Sequence, residues 1–336
     1  MRILVTGGAG YVGSVSVEAF LAAGHDVTVL DDLSTGHRAA VAEGATLVVG
    51  TYADSQAVAQ LLERRQIDAV LHCAAKSLVG ESMVDPAKYF RENVGGGISL
   101  LEGMRLADVT RIVLSSTAAT YGMPERTPIL ETDPVRPINA YGESKRCVEA
   151  AITWYGHGYG LRSVILRYFN VAGASRLNGE QHAPETHLIP AVLIAAQESR
   201  EMTIFGDDYP TPDGTCVRDY IQVEDLAAAH LLALVATATG DPRTGPTSGP
   251  CQPLICNLGN GSGFSNREIV AAVETVVGHS IPVKIGPRRA GDPPVLVASA
   301  ERAGRELGWQ PRQGNLENIV GSAWEWRRSH PTGYAD

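Results

Sequence analysis

The sequence predicts an α/β protein: a doubly wound parallel sheet with a smaller, discontinuous α/β lobe. Short apolar runs rich in β-branched residues alternate with helical patterns through the first half of the 336 residues, which is typical of parallel strands covered by helices. Past about residue 170 the alternation becomes irregular, and loops with Gly, Pro and Asp intervene. We therefore expect residues 1–170 to form mainly the first lobe and 171–336 mainly the second, with the chain crossing back near 220–260.

The elements are expected in a regular order, starting with an apolar strand of the kind buried in parallel sheets. Strands are expected at residues 2–6, 26–30, 46–49, 69–72, 111–115 and 162–166. Helices are expected directly after the first strand and near 54–65, 86–106, 139–157, 187–199, 225–237, 266–277 and 314–328. The run 238–253 is rich in Gly, Pro and Thr, which indicates an exposed loop.

A glycine-rich turn joins the first predicted strand to the first predicted helix. Gly7, Gly10 and Gly13 stand at G-x-x-G-x-x-G spacing, which permits a tight turn and close approach of the backbone to a pyrophosphate. The helix N-terminus then offers free N–H groups and a partial positive charge. The second strand leads to Asp31, which can accept hydrogen bonds from an adenosine ribose and repels a 2′-phosphate. A βαβ unit without a nucleotide is the alternative, but the combination favours a Rossmann lobe that binds NAD rather than NADP.

A tyrosine and a lysine lie one helical turn apart in AYGESKRCVEA. Tyr141 and Lys145 are four residues apart, so both project from the same face of the predicted helix. A tyrosine titrates near pH 10, and a nearby ammonium favours its ionised form. Beside a dinucleotide turn, this pair predicts an enzyme that moves a proton while a hydride is transferred. An isolated pair would more often be an ordinary aromatic and a surface lysine.

Composition favours a soluble cytoplasmic enzyme. The net charge of −9 and the pI near 5.5 give no general attraction to nucleic acid or to an anionic membrane. No apolar stretch approaches the length of a membrane span and no signal peptide is recognisable, so no membrane attachment is expected. The five cysteines lack C-x-x-C spacing, which indicates reduced thiols. The nine histidines show no H-x-x-x-H spacing, and we expect no metal site.

The chain resembles the UDP-glucose 4-epimerase family of the extended short-chain dehydrogenase/reductase superfamily over essentially its whole length. The motifs that carry the resemblance are, in chain order, TGGAGYVGS, CAAKSLVGES, SSTAATYG, NAYGESK, LRYFNVAGA, IFGDDYPTPDGTCVRDYI, RRAGDP and HPTGYAD. The run YPTPDGTCVRDY and the final GYAD are the most discriminating, because they point beyond the superfamily to UDP-hexose epimerases. The resemblance implies a reversible isomerase reaction that interconverts UDP-galactose and UDP-glucose with bound NAD.

The resemblance implies a role for three catalytic residues. Tyr141 takes the proton from the sugar 4-hydroxyl while carbon 4 delivers its hydride to NAD, and it later returns the proton. The 4-keto sugar turns over in the site between these steps. Lys145 lowers the pKa of Tyr141 and hydrogen bonds the nicotinamide ribose. Thr117 hydrogen bonds the 4-oxygen, and it keeps the hydroxyl that many relatives supply from serine.

The resemblance also implies two sets of binding residues. The expected cofactor-binding residues are Gly7, Gly10, Tyr11, Val12, Gly13, Asp31, Asp32, Thr51, Tyr52, Ala74, Lys76, Asn93, Ser115, Tyr141, Lys145 and Tyr168. The expected substrate-binding residues are Lys76, Thr117, Tyr141, Asn170, His187, Leu188, Phe205, Arg218, Arg289, Asp292 and Leu296. Of these, Arg218 and Arg289 are expected on the diphosphate and Asp292 on the uridine ribose. Leu188 and the backbone near Phe205 are expected to flank the uracil.

Two departures from the family pattern affect binding. Thr51 stands where relatives carry an aspartate that hydrogen bonds the adenine amino group, and a hydroxyl substitutes for it only in part. Leu296 stands where a bulky tyrosine disfavours N-acetylated sugars and small residues admit them. Leucine is intermediate in size, so the acceptance of UDP-N-acetylglucosamine stays open.

Three other functions are weighed against this one. A nucleotide-sugar dehydratase carries an Asp-Glu pair after the SST motif, and this chain has Ala118 and Ala119 there. A 4-epimerase for a UDP-N-acetylhexosamine, UDP-pentose or UDP-uronate is excluded less well. A dinucleotide-binding module without chemistry is disfavoured because Thr117, Tyr141 and Lys145 are all present.

The resemblance further implies a homodimer. In the family, the helix that carries Tyr141 and the helix before SST pair with their symmetry mates. In the stretch 86–104, apolar residues such as Phe90, Val94 and Leu101 could serve a core or an interface equally. Symmetric dimers are the commonest oligomers.

Overall fold

The computed structural model describes residues 1–245, 250–289 and 292–335. Four residues of the expected loop at 238–253 and two residues of the RRAGDP motif therefore lie outside the described residues. The described part of that loop carries neither helix nor strand, as expected. Among the described helices, none combines the length and the apolar character needed to cross a membrane.

Strands and helices alternate along the chain. The strands are β1 (Arg2–Thr6), β2 (Asp26–Asp31), β3 (Thr46–Val49), β4 (Ala69–His72), β5 (Arg111–Thr117), β6 (Arg162–Tyr168), β7 (Asn170–Ala172), β8 (Met202–Phe205), β9 (Val217–Gln222), β10 (Leu254–Leu258), β11 (Gly263–Ser265), β12 (Val283–Gly286) and β13 (Val295–Leu296). The helices are α1 (Tyr11–Ala22), α2 (Ser55–Arg65), α3 (Val79–Val84), α4 (Pro86–Tyr89), α5 (Gly96–Leu106), α6 (Ala140–Tyr159), α7 (Leu188–Gln197), α8 (Val223–Ala236), α9 (Asn266–Val277), α10 (Glu301–Leu307) and α11 (Leu316–Ser329).

Seven parallel strands form the central sheet in the order β10-β6-β5-β4-β1-β2-β3. The six strands predicted from the sequence are all present, and the doubly wound parallel fold is confirmed. The strand order reverses between β1 and β4. Open α/β sheets bind their ligands at such a reversal, beside the carboxyl ends of the strands.

Helices cover both faces of this sheet. Because side chains alternate along a strand, Ile3 and Val5 pack on one face with α1, α8 and α10. Leu4, between them, packs on the other face with α2, α5 and α6. These three residues of β1 are fully buried, which explains why the strand is a continuous apolar run.

Two strands extend beyond their predicted ends, and this extension carries functional residues. β5 continues to Thr117 and β6 to Tyr168, and these two residues are register partners. Both strands were expected to end two residues earlier. The hydroxyl-bearing residues of β5 are buried nonetheless, because hydrogen bonds inside the core satisfy hydroxyls such as that of Ser116, which donates to Glu149 at 2.5 Å.

The helix predicted near 86–106 is interrupted. A π-helical turn, Phe90–Gly95, separates α4 from α5. Asn93 lies in this turn with its side chain buried and hydrogen bonded to the loop after β4. Such turns often occur where a helix places a functional side chain.

The second half of the chain builds a smaller group of sheets and then returns to the first. Strands β7, β9, β11 and β13 form one sheet around β9, while β8 and β12 form a pair. Helices α7, α9 and α11 pack together in a separate apolar core. Within the same half, β10 pairs with β6 at the edge of the central sheet, and α8 packs against the first face of that sheet.

Candidate active site

The glycine-rich turn brings three backbone segments into contact. Gly7 has a φ of +72°, and a Cβ there would lie 2.6 Å from the amide nitrogen of Ala74. A Cβ on Gly13 would lie 2.1 Å from the carbonyl oxygen of Gly7, because α1 starts directly against the turn. Gly10 precedes the first helical residue and provides no side-chain cap. The first N–H groups of α1 are therefore open to a ligand, as phosphate binding requires.

We expect Gly13→Ala to disrupt this turn. The added methyl group meets backbone and no flexible side chain, so the helix must shift at a cost of about 1–3 kcal/mol. The melting temperature and the amount of NAD that copurifies should both fall. Gly158→Ala is the matched control, because no described atom outside the neighbouring backbone of its own helix lies within 4 Å of the position that a methyl group would take on this glycine. An unchanged NAD content in Gly13→Ala would contradict the assignment of the turn.

Asp31 and Lys76 meet at the carboxyl edge of the sheet. Asp31 accepts the N–H of Ala9 at 3.0 Å and that of Leu33 at 2.9 Å. Burial raises the pKa of its carboxyl group. Lys76, in the loop after β4, donates from Nζ to Ser34 Oγ at 2.9 Å. The expected ribose acid thus ends β2, and the expected cofactor lysine lies in the loop after β4; both positions are beside the glycine turn.

Asn93 connects this edge to the helix that carries the tyrosine. Its Oδ1 accepts the N–H of Lys76 at 2.8 Å, and its Nδ2 donates to the Lys76 carbonyl at 2.9 Å. The same Nδ2 donates to Ser144 Oγ at 2.9 Å. Ser144 lies on α6 and donates to the carbonyl of Tyr141 at 2.7 Å. Asn93 therefore positions the loop and the helix relative to each other.

Tyr141 and Thr117 are brought together by a glycine. Asn139 caps α6 by accepting the N–H of Gly142 at 2.8 Å. A Cβ on Gly142 would lie 2.4 Å from the carbonyl oxygen of Ala119, so the start of α6 lies against the turn that follows Thr117. The hydroxyl of Thr117 lies near enough to the phenol of Tyr141 to affect its pKa.

Burial shifts the pKa values of both Tyr141 and Lys145. Burial raises the pKa of Tyr141 to about 12, and the nearby hydroxyl of Thr117 lowers it in part. Lys145 is buried and donates from Nζ to the carbonyl oxygen of Ser115 at 2.8 Å. Burial lowers the pKa of Lys145 to about 8. The expected effect of Lys145 on the pKa of Tyr141 stays a prediction.

Ser115 is the centre of a buried polar group below this pair. Its Oγ lies 3.0 Å from Nε2 of His230 and 3.2 Å from Sγ of Cys73. The hydroxyl of Ser115 also lies near Tyr168 and lowers the pKa of its phenol in part, although burial raises that pKa overall. His230 reaches across to Ser16 on α1, with its Nδ1 3.0 Å from Ser16 Oγ. The carboxyl end of β5 is thus connected to the helix that follows the glycine turn.

The buried His230 predicts a loss of stability in acid. Burial lowers its pKa to about 3, whereas an unfolded histidine titrates near 6.5. Since the unfolded chain binds the proton first, the stabilisation is complete above pH 6.5 and is lost as the pH falls toward 3. At pH 5 the loss is about 2 kcal/mol. In urea unfolding, His230→Gln should reduce the difference in unfolding free energy between pH 7 and pH 5 by that amount. The exposed His279→Gln should leave it unchanged, and an equal effect of both variants would contradict the argument.

A buried ion pair supports the opposite side of β5. Arg167 on β6 donates to both carboxylate oxygens of Glu149 on α6, at 3.0 Å and 2.6 Å. Both side chains are at least 94% buried. Glu149 also accepts from Ser116, and Arg167 donates to the phenol oxygen of Tyr121 at 3.0 Å. This network fixes α6 to β5 and β6.

The expected substrate residues form two pairs on the second group of sheets. Arg218 donates to the carbonyl oxygen of Pro293 at 2.8 Å, and its guanidinium lies 3.7 Å from the carboxylate of Asp292. Arg289 stacks over the ring of Phe205, with its Cζ 4.2 Å from the ring centre. Each pair places a guanidinium beside a residue expected on the uridine side.

Three further substrate residues are located around these pairs. Leu296 is the register partner of Arg218 and packs against the apolar cluster that contains Ala118, the neighbour of Thr117. Asn170 is the register partner of Tyr220 in the pairing of β7 with β9. Leu188 is the first residue of α7 and packs on the core of the second lobe.

Other expected residues have their polar atoms directed elsewhere. The hydroxyls of Tyr11 and Tyr52 donate to carbonyl oxygens at 2.6 Å and 3.0 Å, those of Gly173 and Glu92. The hydroxyl of Thr51 accepts a backbone N–H within its own turn. Their roles toward the cofactor stay predictions.

The ligand-binding roles of three more expected residues also stay predictions. Val12, near the start of α1, is half-buried and packs on the core. Asp32 accepts the N–H of Ser34 at 2.9 Å. His187 faces Glu180 and Glu185, a grouping that was not predicted from the sequence.

Several residues of the site were missed in the sequence. Ser144, His230 and the Glu149–Arg167 pair stand in otherwise unremarkable helix and strand patterns, and only their burial shows their role. A signal was available for the grouping of Glu180, His182 and Glu185 with His187, which was expected only as a substrate-binding residue, because the segment reads E-x-H-x-x-E-x-H.

Comparison with known proteins gives consistent matches. The chain matches the model of the NAD dependent epimerase/dehydratase family over residues 3–244. It is 53% identical to the UDP-glucose 4-epimerase of Streptomyces lividans, with 100% of this chain and 98% of the relative covered. It superposes with a TM-score of 0.94 on a crystal structure of UDP-glucose 4-epimerase, at 46% identity and with 100% of both chains covered. The TM-score is 0.90 for the enzyme from Brucella ovis in complex with NAD, at 43% identity and with 96% and 97% covered.

Proposed function

Because the chain belongs to the NAD-dependent epimerase/dehydratase family, and within it to the UDP-glucose 4-epimerases, we propose that it interconverts UDP-galactose and UDP-glucose. The observation that carries the proposal is the packing of the start of α6, which bears Tyr141, against the turn that follows Thr117, at the carboxyl ends of strands that also carry a dinucleotide turn. The reaction belongs to galactose metabolism, and its direction follows the supply of the two sugars. The cytoplasmic location expected from composition stays a prediction.

The residues beside the sheet fit NAD. At Gly7 and Gly13 there is no room for a Cβ. Glycine therefore lets the backbone of the turn approach a pyrophosphate closely, as such a site requires. Asp31 would hold the adenosine ribose, while Lys76 and Asn93 would border the cofactor on the other side. When bound, NAD accepts the hydride of sugar carbon 4 and returns it to the other face.

Tyr141 acts as the base and then as the acid. As the base it must be a phenolate, and because burial raises the pKa of the phenol to about 12, a neighbouring positive charge has to lower that pKa before the sugar proton is taken. Thr117, as hydrogen-bond donor, steadies the phenolate or the sugar oxygen. The positively charged form of Lys145 favours deprotonation of Tyr141 and hydrogen bonds the nicotinamide ribose. The protons thus stay inside the site, and no net oxidation of the sugar results.

The second lobe binds the nucleotide end. Arg218 and Arg289 are the cations for the diphosphate, and Asp292 accepts hydrogen bonds from the uridine ribose. The pairing of Arg218 with Asp292 and of Arg289 with Phe205 supports this role. Leu296 lies between Arg218 and the residues around Thr117, which suits a wall of the sugar pocket. Ala118 and Ala119 supply no acid or base for water loss, so a dehydratase is disfavoured.

A homodimer is part of the proposal. The exposed apolar side chains on the helical face around α6 support it, namely Met83, Val84, Phe90, Ile98, Trp154 and Tyr159. Leu101, considered for the interface, is buried in the core instead. Light scattering after gel filtration should give a dimer mass at micromolar concentration, and Trp154→Glu should shift it toward the monomer. A monomeric wild type would overturn this part of the proposal.

The function is tested with purified protein and UDP-galactose, with products followed by NMR. Appearance of UDP-glucose at an equilibrium ratio, without added cofactor and without net NADH, would support the proposal and show that NAD is retained. If nothing converts, the assay is repeated with added NAD, because Thr51 weakens the adenine contact. Conversion only of a UDP-pentose, a UDP-uronate or a UDP-N-acetylhexosamine would keep the mechanism and change the substrate. Inactivity toward every UDP-sugar would favour a binding module.

A further inference from the structure

Four side chains with metal-binding atoms converge in the segment before α7. Their ligand atoms, on Glu180, His182, Glu185 and His187, all lie within 4.8 Å of one another. All four come from eight consecutive residues, so the loop itself gathers them. We propose that these four residues bind one divalent transition-metal cation, with Zn²⁺ as the best fit.

The distances suit a tetrahedral zinc ion. Ligand atoms about 2.1 Å from a tetrahedral Zn²⁺ lie about 3.4 Å from one another. Nδ1 of His182 is 3.4 Å from Glu180 Oε1 and 3.5 Å from Glu185 Oε2. Nδ1 of His187 is 2.9 Å and 3.2 Å from Oε1 of the same two glutamates. Small shifts would therefore complete the site.

One nitrogen in the group lacks a hydrogen-bonding role. Nδ1 of His182 is buried and makes no hydrogen bond in the structure, although two carboxylates face it. A buried polar atom without a partner costs free energy. A metal ion between the imidazoles and the carboxylates would satisfy this nitrogen.

The charge of the group also calls for a cation. The side chains of Glu180 and Glu185 are each only 8% exposed, and the ion pairs of both are with the two histidines. In the form that binds a metal, two carboxylates and two neutral imidazoles carry a charge of −2, which a divalent ion balances as two imidazole protons do in its absence. Imidazole nitrogen selects zinc and its neighbours over Mg²⁺ and Ca²⁺, which prefer oxygen.

The position of the group indicates a structural role. Four protein ligands leave no open coordination position, as in structural rather than catalytic zinc sites. His187 immediately precedes α7, whose first residue is Leu188. The metal would thus fix the loop that leads to the proposed uracil contact. The site does not depend on the proposed epimerase reaction.

The test is metal binding by the full chain with its cofactor. After treatment with a chelator, wild-type protein is titrated with Zn²⁺ against a chromophoric competitor, and bound zinc is measured by mass spectrometry. We expect one Zn²⁺ to bind per chain. In His182→Gln the affinity for Zn²⁺ should fall at least about 100-fold. His279→Gln, which changes an exposed histidine, should bind like wild type. Absence of zinc binding, or equal binding by wild type and His182→Gln, overturns the proposal.

A spectrum of the wild type covers the case in which His182→Gln does not fold. With Co²⁺ in place of zinc, the site should show the visible absorption of a four-coordinate ion. No thiolate-to-metal charge-transfer band should accompany it, because no cysteine belongs to the site. A missing visible band, or a thiolate band from one of the five cysteines, would overturn the proposal.

Discussion

Tyr141→Phe should lower the turnover of UDP-galactose by about 1,000-fold, within the range that a general acid–base group contributes. The variant lacks the only atom of Tyr141 that can exchange the proton, while the ring still fits beside Tyr89, which it contacts edge-on. NAD content and melting temperature should therefore stay close to wild type. The rate is measured by NMR with saturating substrate, and the cofactor by absorbance after denaturation.

Tyr159→Phe is the matched control for this variant. It makes the same change on the same helix, at a tyrosine that is 58% exposed. Its activity should equal that of wild type. If Tyr141→Phe retained most of its activity with NAD bound, the proton would have to move through another group, and the assignment of Tyr141 would be wrong.

Arg167→Met should lower the free energy of unfolding by about 3–5 kcal/mol, because the charge of Glu149 would stay buried without its partner. The variant would also leave the phenol oxygen of Tyr121 with one hydrogen bond fewer. The double variant Arg167→Met with Glu149→Leu should lose less, since it removes both charges from the core. Urea unfolding of the three proteins measures these differences.

The exposed pair Arg136–Glu125 provides the comparison for the buried one. Its side chains are 74% and 75% exposed, and surface ion pairs contribute little. Arg136→Met should therefore leave the unfolding midpoint nearly unchanged. A double variant less stable than Arg167→Met would show that the energy resides in the other hydrogen bonds of the network, contrary to the prediction.

The first lobe was predictable because its signals are local. The glycine spacing, the apolar run of β1 and the position of Asp31 are all set within one βαβ unit, and the structure reproduces them. The contact between Tyr141 and Thr117 is not local. It depends on the close approach of Gly142 to Ala119, and the sequence indicated it only through the resemblance to a family.

The parts that were missed depend on tertiary contacts. The π-helical turn around Asn93 is stabilised by bonds to Lys76 and Ser144, which no helical pattern encodes. Strands such as β7 and β11 have three residues each, too few for a period-two pattern. His182 and His187 were not considered as metal ligands because they lack the helical spacing of histidine ligands. A loop, however, can gather ligands at other intervals.

The position of Cys73 beside Ser115 has a consequence for the chemical durability of the site. Thiolates, not thiols, react with oxidants and alkylating reagents. Burial raises the pKa of Cys73 to about 11, so at pH 7 only about one molecule in 10,000 carries the thiolate. A sulfur atom can therefore lie next to the proposed site of hydride transfer and remain inert. Oxidants and alkylating reagents would then leave this thiol unmodified.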